Sequence, residues 1–273
     1  MKRLILAVAL CCAFSVYGLA TNSDAKLKRI EMLEKKINAL KAEREDIKPK
    51  YIAIIDEVCI LFKKNAVLKD KIKSQSCNHG VCSGSCLKEL LEKSENDHKI
   101  SILEVTAAEL ELDGTKIELN INKAFIELIK AEIKAGKMPK APIEIAKALV
   151  KRTQTWIGDC EAKVKVKQAK VKEKEANVKY LEICVKNNEI KKYTKGTYSY
   201  IGTKNIEIAE MFAKESVLNL KLEQARSETV QAKIKEKQAL LKSTQAGVKF
   251  CKTFLKFEKA VDKKNLELFF EHG

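Results

Sequence analysis

The chain has 273 residues, a formal net charge of +16, 6% aromatic residues, three prolines and three histidines. Ala, Leu, Ile, Glu and Lys are abundant, and this composition favours helices over sheets. The sequence therefore predicts an all-α protein. The strong positive charge favours encounters with polyanions, although the same charge also keeps a protein soluble.

Residues 1–20, MKRLILAVALCCAFSVYGLA, have the order of a secretory signal peptide: two basic residues, an apolar run, then small residues at Gly18 and Ala20. A membrane anchor is the alternative, but the apolar run is shorter than the roughly 20 residues that a spanning helix needs. Cleavage after Ala20 would leave a net charge of +14, from 51 basic and 37 acidic residues. We expect a secreted, extracellular protein without a membrane span once the leader is removed, and nucleic acid is disfavoured as its partner.

The first predicted helical stretch runs from Ile30 to Ile72, with apolar residues at alternating spacings of three and four. Pro49 interrupts this stretch without changing the phase of the pattern. It predicts either a kink or two abutting helices, with Pro49 in the first turn of the second.

The next segment, CNHGVCSGSC at residues 77–86, combines three cysteines and a histidine with turn-forming residues. Cys77, His79, Cys82 and Cys86 include ligand types that zinc accepts, but their spacings match none of the paired zinc motifs. We interpret the segment as a connection between helices that carries cysteines for disulfides, and we expect no metal.

The second predicted helix, from Leu87 to about Ala135, carries three apolar columns of seven-residue spacing. Two of them form one seam, whereas the third, from Val105 to Ile133, lies about 140° around the helix. The third column indicates either that the helix is covered on more than one side or that an apolar groove is left open for a ligand or partner.

A third helix is predicted from Pro142 onward, with a thin core of valines beyond Cys160. Over residues 187–205, glycines and clustered tyrosines make the helical spacing of apolar residues less regular. A fourth helical stretch follows from Ile206 towards Phe270, with a possible break near Gly247.

These elements predict an elongated antiparallel bundle of about four long helices with coiled-coil character, stapled by disulfides. Residues 21–273 form a single elongated helical domain in this interpretation, with connections near 74–86, 136–142 and 194–203. A rod in two parts, divided near Pro142, is the alternative.

Seven cysteines follow the predicted leader, and in an oxidising compartment they suggest three disulfides and one remaining thiol. Cys160 and Cys184 cannot pair if they share one continuous helix, because 24 residues separate them by about 36 Å. We expect Cys184 to bond Cys59 or a cysteine of the connection, and a bond between Cys160 and Cys251 requires the last helix to turn back near Gly247. The disulfide candidates are Cys59, Cys77, Cys82, Cys86, Cys160, Cys184 and Cys251.

Lysines of the third predicted helix recur in two rows and suggest an electrostatic docking stripe for an extracellular polyanion or an acidic protein. The alternative is a solvated face that acidic residues of the fourth helix partly balance. One row has seven-residue spacing and the other has spacings of three and four; together they comprise Lys163, Lys165, Lys167, Lys170, Lys172, Lys174, Lys179 and Lys186.

No catalytic arrangement can be assembled from this sequence at a recognisable spacing. His79, His98 and His272 are scattered among a connection, a polar helix and the C-terminus. We therefore expect neither enzymatic activity nor a cofactor. A binding protein is favoured over two alternatives, a structural coiled-coil rod and a carrier that holds a lipid or another small molecule in the bundle core. The partner would be an extracellular protein or an anionic polymer such as glycosaminoglycan.

The chain combines a predicted leader, a mature mass near 30 kDa, a basic charge and long helices with a cysteine-containing connection. In this general layout it resembles the mosquito 34 kDa salivary secreted protein family. The resemblance implies a salivary product of a blood-feeding insect that acts by binding extracellular proteins without catalysis. It implies no functional residues.

Overall fold

The computed structural model describes residues 24–74, 84–136, 142–194 and 201–271. They form five helices and no strand, which confirms the predicted all-α, bundle-like class. The predicted signal peptide and most of each predicted connection lie outside the described residues, as do Cys77, His79, Cys82 and His272. The helices are α1 (Asp24–Glu45), α2 (Ile47–Ser74), α3 (Gly84–Lys134), α4 (Pro142–Thr194) and α5 (Ile201–Glu271).

The first predicted helical stretch is two helices that meet at Asp46. The N–H of Asp46 donates to the carbonyl of Ala42 at 3.1 Å, and α2 begins at the next residue. Pro49 is the third residue of α2; it has no N–H to donate to the carbonyl of Glu45, and its ring would clash with that carbonyl in a continuous helix. Of the two predicted forms, the abutting helices are confirmed.

A glycine ends α3. Gly136 adopts a φ of 74°, a left-handed conformation that glycine reaches without steric cost, and its N–H donates to the carbonyl of Ile133 at 3.1 Å. By contrast, α5 passes through Gly247 without interruption, so the predicted break near this residue is wrong.

The described residues group into two compact units. Unit 1 contains described residues of 1–48, 112–159 and 238–273, and unit 2 those of 49–111 and 160–237. In unit 1, α1 and α3 run antiparallel: Lys26 donates to the carbonyl of Lys134 at 3.4 Å, and Arg44 pairs with Glu118 at 2.7 Å. Their apolar faces form the core, which comprises Ile30, Leu33, Ile37, Ile117, Ile121, Ala124, Leu128 and Ala131.

Other contacts in unit 1 attach α4 and α5. The Nδ2 of the buried Asn122 donates to Oγ1 of Thr153 at 3.0 Å, which satisfies a polar group inside the core between α3 and α4. The guanidinium of Arg152 on α4 lies 5.4 Å from the ring centre of Phe250 on α5, a cation–π arrangement.

Unit 2 has a smaller apolar cluster, formed by Val58 and Leu61 of α2 with Ile100 of α3. A polar contact lies beside it: the Nδ2 of the buried Asn65 donates to Oδ1 of Asp97 at 2.7 Å. Because a buried polar group costs free energy unless it is hydrogen-bonded, this pair favours one register of α2 against α3.

The predicted disulfide staple is not supported. Among the five cysteines that the structure describes, none is bonded to another. Cys59 is exposed because it follows the buried Val58 by one residue, which rotates it about 100° away from the core face. Cys86 and Cys160 are 2% and 1% exposed and fill the core as small apolar side chains. Pairings that involve Cys77 or Cys82 stay predictions.

The third apolar column of α3 is half-buried along its whole length; its members are Val105, Leu112, Leu119, Ile126 and Ile133. This side of the helix is therefore neither fully packed against a neighbour nor an open groove. The column that contains Ile100, Ala107, Ile121 and Leu128 is buried, as the seam prediction requires.

Candidate functional site

The lysines of α4 that the sequence singled out belong to unit 2, and the structure separates them into two groups. Residues two apart on a helix lie about 160° apart around its axis, so Lys165 and Lys167 occupy different sides of α4. We call the half-buried group the inner row and the exposed group the outer row. The inner row is Lys163, Lys167, Lys170 and Lys174, and the outer row is Lys165, Lys172, Lys179 and Lys186.

Acidic residues of α3 lie against the inner row. Lys167 Nζ donates to Glu104 Oε2 at 2.7 Å, and each side chain is about one-third exposed. One heptad along, Lys174 Nζ lies 3.8 Å from Asp97 Oδ2. These pairs, with residue numbers that rise on α4 as they fall on α3, define an antiparallel arrangement of the two helices.

Two further contacts between α3 and α4 extend this series of pairs, one at each end. Lys163 lies 3.7 Å from Glu111, and Asn177 donates to Oγ of Ser94 at 2.7 Å. The three acidic residues of α3, Asp97, Glu104 and Glu111, are seven residues apart, and each lies against one lysine of the inner row. They reduce the local net charge of residues 163–179 from +5 to +2.

Sequence reasoning missed these acidic partners, because it expected balancing charges on the last helix. A signal was present: Asp97, Glu104 and Glu111 repeat with the same seven-residue period as Lys167 and Lys174. Matching periods of opposite charge on two helices are typical of neighbouring helices that pair across their interface.

The outer row keeps its charge at the surface. All four members are exposed, and they are spaced seven residues apart along one continuous helix. Within the row, Lys179 donates to Oε1 of Glu175 at 2.6 Å. This hydrogen bond and the charge of Lys179 lower the pKa of the Glu175 carboxyl, and the charge of His98 adds to the effect.

A small polar cluster lies further along α4, where it faces α5. Glu215 accepts hydrogen bonds from Cys184 Sγ at 3.8 Å and from Asn187 Nδ2 at 2.9 Å. The hydrogen bond with Cys184, then burial and the negative charge of Glu215, raise the pKa of the Tyr180 hydroxyl. The predicted bond between Cys184 and Cys59 is not supported, because these two cysteines are not bonded to each other, and the alternative bond of Cys184 to Cys77 or Cys82 stays a prediction.

An apolar groove of about 540 Å³ lies beside this cluster, between α4 and α5 of unit 2. Ile183 forms one wall, and the α5 residues Ala213, Val217 and Leu218 form the other. The groove does not lie at the thin valine core predicted beyond Cys160, where Val164 is buried.

His, Cys, Asp and Glu side chains can hold a metal ion where three or more of them converge. Within the described ranges, no three of them come together in this way. None of the helices that the structure describes is long and apolar enough to cross a membrane.

Neither a known protein family, nor a curated protein, nor a solved structure matches this chain. The resemblance to the mosquito salivary family accordingly stays a prediction from layout.

Proposed function

We propose that this protein is a secreted, non-enzymatic binding protein whose outer row docks an anionic extracellular polymer, such as a sulfated or carboxylated polysaccharide. One observation carries the proposal. Acidic residues of α3 lie against the inner row, whereas the four lysines of the outer row are exposed and Lys179 pairs only within its own helix, with Glu175. The extracellular location and the salivary origin belong to the proposal and rest on the predicted leader and the layout.

The spacing of the outer row favours an extended ligand. Seven residues of helix rise about 10 Å, so the four lysines are distributed over about 30 Å. One small anion can contact two neighbouring ammonium groups at most, whereas a linear polymer with regularly placed charges can meet all four. Each contact is weak in water, and the binding strength comes from having several at once.

Electrostatic binding of this kind is sensitive to salt. The Debye length is about 10 Å at 0.1 M ionic strength, so exposed charges are strongly screened there. We therefore expect retention on immobilised heparin at low salt, with elution as the salt concentration rises.

The test compares two variants of equal net charge on a heparin column. The first variant changes Lys165, Lys172 and Lys179 to Glu, which reverses the charge of the four-residue outer row from +4 to −2. The control changes three exposed lysines of α1 in unit 1 to Glu; these are Lys35, Lys36 and Lys41. Circular dichroism confirms that both variants stay helical.

We expect the outer-row variant to lose retention and the α1 control to keep most of it. Equal retention of the two variants would contradict the proposal, because binding would then follow net charge and not the outer row. Running the same proteins over an immobilised acidic protein distinguishes the second partner class: retention there, but not on heparin, assigns the outer row to an acidic protein surface.

A further inference from the structure

Helix α5 exposes an apolar face in unit 1. Leu241, Val248 and Leu255 follow one another at seven-residue intervals, and their side chains are 59%, 49% and 53% exposed. Large apolar side chains in an ordered exposed column mark interaction surfaces more often than single exposed ones do.

This face is distinct from the one that α5 uses for packing. Phe250 contacts Arg152 of α4 and stacks on Phe254 at a ring-centre distance of 6.5 Å. Leu241 lies about 180° around the helix from Phe250, and Val248 lies about 160° from it. The helix therefore has two apolar faces, of which the one with Phe250 is packed and the opposite one is exposed.

The residues beside the exposed column determine which partner fits. Each apolar residue is followed by an exposed lysine, and these lysines are Lys242, Lys249 and Lys256. On the other side of the column lie Gln238, Gln245 and Lys252, so this flank carries one further positive charge. A second copy of the chain would bring the same lysines to the same seam, and like charges along a helix seam repel.

We propose that this face of α5 docks an acidic amphipathic helix of a partner protein. A column with seven-residue spacing favours a helical partner, because knobs-into-holes packing matches side chains every seven residues along two helices. Lys242, Lys249 and Lys256 favour glutamate or aspartate beside the partner's apolar column, where charge pairs determine partner choice and orientation. The inference is independent of the proposed function, since it uses another helix in the other unit.

The experiment uses the whole protein and two synthetic peptides of about four heptads. Both peptides have leucine at the two core positions of the heptad; the acidic peptide has glutamate at both flanking positions, and the basic peptide has lysine there. Fluorescence anisotropy of the labelled peptides measures binding to the wild type and to the variant L241S/V248S. Met32→Ser is the control, because Met32 is a 61% exposed apolar side chain on α1.

We expect saturable binding of the acidic peptide and at least about tenfold weaker binding of the basic one. The double variant should weaken binding of the acidic peptide by about tenfold or more, because central apolar anchors dominate such interfaces. Met32→Ser should leave binding unchanged.

Three outcomes would overturn the proposal. The first is that the acidic peptide does not bind, or binds the wild type and the double variant equally. The second is concentration-dependent dimerisation in analytical ultracentrifugation that the double variant abolishes, which would make a second copy the occupant. The third is that phosphatidylserine vesicles bind the wild type but not the double variant while neither peptide binds, which would assign the face to a membrane surface.

Discussion

Reversing the charge of Lys167 tests whether the inner row is structural. Lys167 donates to Glu104 of α3 at 2.7 Å, and the two side chains are 30% and 31% exposed. The variant Lys167→Glu places two carboxylates at this contact. Lys172→Glu makes the same change in charge at an exposed position of the outer row, so it is the matched control.

The ion pair between Lys167 and Glu104 stabilises the fold by a small but measurable free energy. A partly exposed ion pair contributes about 0.5–1 kcal/mol, because solvent screens the charges and two long side chains are immobilised. Reversal removes this attraction and adds a repulsion of similar size, so we expect Lys167→Glu to lower the free energy of unfolding by about 1–2 kcal/mol. The exposed Lys172→Glu should change it by no more than about 0.5 kcal/mol.

Urea unfolding monitored by circular dichroism measures both variants, together with the charge-swapped double variant E104K/K167E. The swap restores opposite charges across the same contact, so it should recover most of the lost stability. If Lys167→Glu costs no more than Lys172→Glu, or if the swap recovers nothing, then the inner row is not paired with α3 and the division into two rows fails.

Three further predictions concern the fold. Leu128→Ala should destabilise the protein by about 2–4 kcal/mol, because it opens a cavity in the core of unit 1; urea unfolding measures the loss, and Met32→Ala, at an exposed position, should cost little. Because the fold raises the pKa of Tyr180 above its usual value of 10.0, folding favours the protonated hydroxyl, and the associated stability is complete below pH 10.0 and is lost as the pH rises through the folded pKa. Unfolding midpoints of the wild type should therefore fall more steeply above this pH than those of Tyr180→Phe, and parallel curves would refute the prediction. Gly136→Ala should destabilise by about 1 kcal/mol because of the positive φ, whereas Gly158→Ala, in mid-helix with open space around it, should stabilise by about 0.5–1 kcal/mol in the same assay.

The helical class was predictable because it depends on local chemistry, whereas the first and last helices begin five or six residues before the predicted starts. The spacing of apolar residues predicted the long helices, and proline chemistry limited the region around Pro49 to two forms, of which the structure has one. The break expected at Gly247 does not occur because a glycine weakens a helix by only about 1 kcal/mol, which neighbouring turns and packing can offset.

The partners of side chains were less predictable, since sequence spacing does not say which helices are neighbours. Both lysine rows are regular in the sequence, yet only the structure shows that acidic residues of α3 lie against Lys163, Lys167 and Lys174. The disulfide expectation is not supported among the described cysteines, for a related reason. A cysteine count suggests pairing, but it does not show that Cys59 lies off the core face or that Cys160 is buried in it.

The most direct test of the proposed function is a footprint of lysine reactivity. The protein is acetylated briefly with and without heparin, and mass spectrometry compares the modification of each lysine. The proposal predicts that heparin protects the outer row, Lys165, Lys172, Lys179 and Lys186, while the exposed lysines of α1 and α5 keep their reactivity. Uniform protection of all exposed lysines, or protection confined to α1 or α5, would contradict it.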